Sequence, residues 1–141
     1  MAKTFRVLLV EDNEADAYLT RETLQSSKLL LEVTVVIDGS AALELLRSTL
    51  ATAPDELPDL ILLDLNLPGM SGREVLQALK QEDRLRRIPI VILTSSAAEL
   101  DIVQSYDLGA NCYVTKPVGL DAFQSIVSSV EGFWFTIVKL P

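Results

Sequence analysis

Short, unbroken apolar runs alternate with longer stretches of helical periodicity, and the alternation repeats five times. Residues 7–10, 33–37, 60–63, 90–93 and 112–115 are apolar or β-branched, are bounded by polar or turn residues, and predict strands. Between them, 14–27, 40–50, 73–81 and 97–108 carry the spacing of helices, and a last helix is predicted from about 121 onwards. Strands and helices in strict alternation predict an α/β fold, a doubly wound parallel sheet with both faces covered. Leu60-Ile61-Leu62-Leu63 and Ile90-Val91-Ile92-Leu93 show no polar alternation, which places them as central strands. The connection Thr52-Ala53-Pro54-Asp55-Glu56-Leu57-Pro58 is longer than most helix-to-strand loops and is either locally ordered or mobile.

A length of 141 residues fits one domain with a core that needs no staples. A single Cys excludes an internal disulfide framework, and Cys112 in the fifth strand reads as a small buried hydrophobe. No His is present, which removes the commonest zinc ligand, the commonest general base and any histidine phosphate carrier. The net charge of −8 argues against nucleic-acid binding, and Arg84, Arg86 and Arg87 read as a solvated connection. No apolar stretch approaches a membrane span, and the start of the chain turns acidic too soon for a signal peptide. A cytoplasmic location is the expectation.

Sites in open α/β sheets form outside the carboxyl ends of the strands. The first strand runs into Glu11-Asp12, the third into Asp64, the fourth into Thr94, and the fifth into Lys116-Pro117. Three carboxylates gathered at one sheet edge repel one another unless a cation sits between them. With neither His nor Cys nearby, the oxygen donors favour Mg²⁺, with Mn²⁺ as the alternative. Lys116 adds a positive charge and Thr94 a hydroxyl, the groups expected around a transferring phosphoryl. A carboxylate nucleophile then makes the chemistry acyl-phosphate formation.

Each residue alone has a plainer reading. Asp12 or Asn13 would cap the following helix, Asp64 would end a strand, Thr94 would be a β-branched strand residue, and Lys116 a loop lysine. Their joint occurrence at successive strand ends favours function.

The segments Val10-Glu11-Asp12, Leu63-Asp64-Leu65-Asn66-Leu67-Pro68-Gly69-Met70-Ser71-Gly72, Leu93-Thr94-Ser95 and Val114-Thr115-Lys116-Pro117 resemble the receiver domain of two-component response regulators. Thr94 lies 30 residues and Lys116 52 residues beyond Asp64, spacings similar to that family's. The resemblance implies a flavodoxin-like five-stranded sheet of order 2-1-3-4-5. It implies that Asp64 accepts a phosphoryl group from the phosphohistidine of a histidine kinase. By the same resemblance Glu11, Asp12, Asp64 and the backbone carbonyl of Asn66 hold the metal, and Lys116 pairs with the aspartate and then with the phosphoryl oxygen. Thr94 is the switch hydroxyl, Ser95 the small residue beside it, and Tyr113 the aromatic that turns inward after Thr94 moves. Asn66 and Ser96 flank the path of hydrolytic water. Glu11 stands where the family more often has Asp.

Phe123, Ile126, Val127, Val130, Phe133, Trp134, Ile137 and Val138 form a helical stripe interrupted only by Gly132. This divides the chain into a receiver over 1–130 and an apolar tail over 131–141 that extends the last helix. The tail, the loop before Pro58 and the run Glu11 to Asp16 resemble the small regulators of cyanobacterial phytochrome kinases, which implies phytochrome signalling and a homodimer; the apolar Phe133, Trp134, Ile137 and Val138 either form its interface or fold back on their own domain. The expectation is a stand-alone response regulator, not an enzyme beyond its own phosphorylation and slow dephosphorylation. It would act on an unidentified downstream protein. Two rival readings fit the residues less well. A haloacid-dehalogenase-like phosphatase needs a second Asp where Asn66 stands, and a pseudo-receiver docking module would not need the intact set of Glu11, Asp12, Asp64, Thr94 and Lys116.

Overall fold

A computed structural model describes residues 4–26, 30–95, 112–116, 118–119 and 121. Five strands, β1 (Phe5–Val10), β2 (Leu31–Val36), β3 (Leu60–Asp64), β4 (Ile90–Thr94) and β5 (Cys112–Thr115), pair in parallel in the order β2-β1-β3-β4-β5. This is the expected flavodoxin-like arrangement. Strands β3 and β4 are buried at every position, as their unbroken apolar runs require of central strands. Among the described residues no helix is long and apolar enough to cross a membrane.

Side chains alternate across the sheet and so build two cores. Leu8, Val10, Ile61, Leu63, Ile90 and Ile92 pack with residues of α2 (Gly39–Thr52) and α3 (Gly72–Lys80) on one face. Val7, Leu9, Leu60, Leu62, Val91 and Leu93 form the other, joined by Ala17 and Leu24 of α1 (Glu14–Gln25). The helix starts are fixed by polar caps. The Asn13 side chain accepts from the Asp16 N–H, Asp38 from the Ala41 N–H, and Ser71 and Glu74 close a reciprocal capping box.

Two strand boundaries are corrected, the first of them β1, which begins at Phe5 and not at the expected residue 7. The second strand starts at Leu31 and stops at Val36, not 33–37, because Phe5 and Arg6 of β1 pair with Leu31 and Glu32, while Ile37 lies exposed. Of the two readings open for the 52–58 connection, local order is the one found: a 3-10 turn spans Pro54–Glu56, and Arg6 ties it to β1. The Arg6 N–H donates to Asp59 Oδ2 at 2.8 Å, the Asp59 N–H to the Arg6 carbonyl at 2.7 Å, and Arg6 Nη1 to the Asp55 carbonyl at 2.9 Å. Arg84, Arg86 and Arg87 are exposed as expected, but Leu85 among them is fully buried and anchors the connection into β4. The predicted helices over 97–108 and after 121, the apolar tail with Phe133, Trp134, Ile137 and Val138, Ser96 and the Cys112 side chain lie outside the described residues.

Candidate functional site at the carboxyl edge of the sheet

The register explains why distant residues meet. Val10 pairs with Leu63, so Glu11 and Asp64 leave neighbouring strands side by side. Both continue the rows of side chains that face α1, because Leu9 and Leu62, two residues earlier, belong to that core. Lys116 stands two residues beyond Val114, which packs against the same core, and its N–H donates to the Thr94 carbonyl at 2.7 Å. Thr94 follows Ile92 on the opposite face, and Tyr113 packs against that other core. The charged groups thus converge on the α1 side, while the two predicted switch residues belong to the α2 and α3 side.

Lys116 Nζ donates to Glu11 Oε1 at 3.0 Å, to Asp64 Oδ2 at 3.0 Å and to Asp16 Oδ2 at 3.1 Å. Glu11 and Asp64 are almost completely buried. Their remaining oxygens accept from backbone: Glu11 Oε2 from the Asn13 N–H at 3.1 Å, and Asp64 Oδ1 from the Asn66 N–H at 3.0 Å. Burial, reinforced by the Asp64 carboxyl beside it, pushes the Glu11 carboxyl up to about 7 against the pull of Lys116 and the Asn13 N–H. Burial alone would lower Lys116, but hydrogen bonds to Glu11, Asp64 and Asp16 outweigh it and hold the ammonium above its ordinary range.

Asn13 caps α1, so Asp12 has no capping duty; it is exposed at the edge. Glu11, Asp12 and Asp64 each bring one oxygen to within 4.8 Å of the others. An all-oxygen anionic set of that size fits a hard divalent cation. Asn66, exposed in the loop after β3, is tied to Asp64 through its N–H. Thr94 is fully buried with its hydroxyl donating to the Val114 carbonyl at 3.5 Å, Tyr113 is half-buried, and Ser95 is exposed.

Sequence reasoning assigned no role to two residues of this region. Asp16 is the third partner of Lys116; it lies one turn before Thr20, whose burial marks the face of α1 turned to the sheet, and that helical offset was the available signal. Gly72 was read only as part of a turn, yet a Cβ there would collide with the Asp64 carbonyl oxygen and lie 2.8 Å from Leu65 Cα. The first residue of α3 is therefore seated directly on the end of β3.

The response regulator receiver domain matches residues 7–128, and the chain belongs to that family. Response regulator Rcp1 of Synechocystis sp. is 44% identical over 135 residues, which cover 96% of this chain and 92% of Rcp1. Among solved structures, the bacteriophytochrome response regulator AtBRR superposes with a TM-score of 0.81 at 43% identity, covering 94% of this chain and 96% of that one. The phosphorylated cyanobacterial phytochrome response regulator RcpA gives 0.73 at 47%, covering 94% and 95%, and the Mn²⁺-bound form of Rcp1 gives 0.70 at 44%, covering 97% and 99%. The chain is thus a response regulator of the receiver type, related to phytochrome response regulators.

Proposed function

We propose that this response regulator takes a phosphoryl group from the phosphohistidine of a histidine kinase onto Asp64, and signals by the change in protein contacts that follows. The observation that carries the reading is Lys116 Nζ held 3.0 Å from both Asp64 and Glu11 at the carboxyl edge of the sheet. An Asp64 oxygen forms the new O–P bond as the P–N bond of the donor breaks and its electron pair returns to the imidazole. Lys116 holds the Asp64 carboxylate in place and keeps a positive charge where phosphoryl oxygens arrive. Glu11, Asp12, Asp64 and the Asn66 carbonyl would hold Mg²⁺, which neutralises charge on the incoming phosphoryl group. Thr94 and Tyr113, on the far side of the sheet, are the residues through which the change would pass to the α2 and α3 face. The kinship with phytochrome regulators favours a phytochrome-type kinase as the donor and the cytoplasm as the location. Incubation with acetyl phosphate and Mg²⁺ tests the reading. Stoichiometric acid-labile labelling is expected, whereas steady turnover of the donor or no labelling would contradict it.

The cation carries its own expected result. Glu11 binds a proton more tightly in the folded than in the unfolded chain, so the stability this proton confers is complete below pH about 4.5 and is lost as the pH rises through about 7. Without divalent cations the urea midpoint should therefore fall across that window, and Glu11→Gln should flatten the fall. Millimolar Mg²⁺ should raise the melting temperature above pH 7 and do so less at pH 6, where the proton competes. Asp12→Ala should abolish the rise. A melting temperature indifferent to Mg²⁺ at pH 8 would contradict the metal assignment.

The apolar stripe through Phe133, Trp134, Ile137 and Val138 supports a homodimer, since large side chains of this kind are worth roughly 1.5 to 3 kcal/mol each when buried. Truncation after Glu131 should give monomers in sedimentation that still accept phosphoryl on Asp64. A full-length chain that is monomeric at high micromolar concentration would overturn the dimer.

A further inference from the structure

We infer that Asp16 is a positioning residue for phosphoryl uptake, acting through Lys116. The inference rests on the reading of Asp64 as the acceptor. A lysine ammonium has three donors, and here all three are engaged, by Glu11 at 3.0 Å, Asp64 at 3.0 Å and Asp16 at 3.1 Å. Two of these acceptors are buried strand ends, whereas Asp16 comes from a helix and its side chain is 39% exposed. It therefore holds the ammonium from the solvent side, opposite the pull of the sheet. Asp16 is itself held, because its N–H donates to the capping Asn13 side chain at 2.9 Å.

Asp16 also stands apart from the acids that could share a cation, which are Glu11, Asp12 and Asp64. When phosphoryl transfer occupies Asp64, Lys116 exchanges its Asp64 oxygen for a phosphoryl oxygen. Glu11 is itself one of the acids that could share the cation, so its hold on Lys116 is divided. Asp16 is then the one partner of Lys116 that neither the cation nor the phosphoryl group claims. An ammonium pinned by Asp16 and Glu11 can redirect its third donor with little motion. On a flexible four-carbon stem with only Glu11, which the cation shares, left to hold it, the same group must be ordered anew at each reaction.

Phosphorylation of the full-length chain by acetyl phosphate, with Mg²⁺ saturating, distinguishes this from a charge effect or a structural one. Asp16→Ala is expected to lower the maximal rate about tenfold while the donor concentration at half-maximal rate stays put. Asp16→Asn, which keeps an oxygen acceptor and loses the charge, is expected to restore most of the rate. In ¹⁵N spectra, one ammonium of the five lysines, identified by its loss in Lys116→Arg, should be protected from exchange in the parent and in Asp16→Asn, and broadened in Asp16→Ala. The inference is overturned if the two variants slow the reaction equally, if Asp16→Ala matches or exceeds the parent, or if the Lys116 signal is unchanged in Asp16→Ala. Failure of the underlying reading looks different: the parent takes no label, or label persists in Asp64→Asn.

Discussion

Asp64→Asn should abolish acid-labile phosphorylation and leave a folded protein. The amide has nearly the shape of the carboxylate but offers no anionic oxygen to attack phosphorus, so the loss should be complete. Its effect on stability has two opposed parts. The amide oxygen can still accept from Lys116, but the amide nitrogen then faces the Asn66 N–H, which the lost Oδ1 had satisfied at 3.0 Å; an unmet contact of this kind costs about 1 kcal/mol. Against it, one negative charge leaves the neighbourhood of Glu11, whose raised value owes part of its shift to Asp64, so the Glu11 carboxylate becomes easier to ionise. The two nearly cancel, and the melting temperature should move little. Labelling that continues undiminished would remove Asp64 from the acceptor's role, whereas a collapsed fold would show that the Lys116 contact is mainly structural.

The largest stability loss is expected from Gly72→Ala. Gly72 opens α3 with its N–H donating to the Leu65 carbonyl at 3.1 Å, and a methyl group there meets backbone on β3 and just beyond it, which cannot rotate away. Overpacking against backbone costs about 3 kcal/mol, a drop of roughly 10 °C for a domain this size. Gly69 supplies the contrast. It has a positive φ of 67° but open space around its Cα, so Gly69→Ala should cost only about 1 kcal/mol of conformational strain. Thermal melts of the two variants side by side decide the matter, and a Gly72→Ala protein no less stable than Gly69→Ala would refute the close approach. Because the clash falls on the carbonyl of Asp64 itself, Gly72→Ala should also slow phosphoryl uptake at temperatures where it remains folded.

These residues show what can be read from a chain and what cannot. Strands β3 and β4 announce themselves because a strand buried on both faces must be apolar throughout, and Glu11, Asp12, Asp64 and Lys116 are legible because parallel strands deliver their carboxyl ends to one edge. The start of β2 is not legible in the same way: Leu31 and Glu32 are drawn into the sheet by Phe5 and Arg6, partners 26 residues away in the chain. Asp16 looks like any acid in the first turn of a helix until α1 is laid on the sheet, and Gly72 looks like a turn glycine until α3 is seated on β3. Local pattern reports which face a residue occupies, but not what the packing of another element brings against it.

The lysine that binds the cluster together comes late in the chain, 105 residues after Glu11 and 52 after Asp64. During synthesis the amino-terminal strands leave the ribosome first, and contacts between distant positions form slowly. A nascent chain that has paired β1 with β3 presents an edge of like charges with no ammonium to bind them. Until β5 docks, Glu11 and Asp64 lack the ammonium that binds them, so on the proposed function a chain must be complete through Lys116 before it can take up a phosphoryl group.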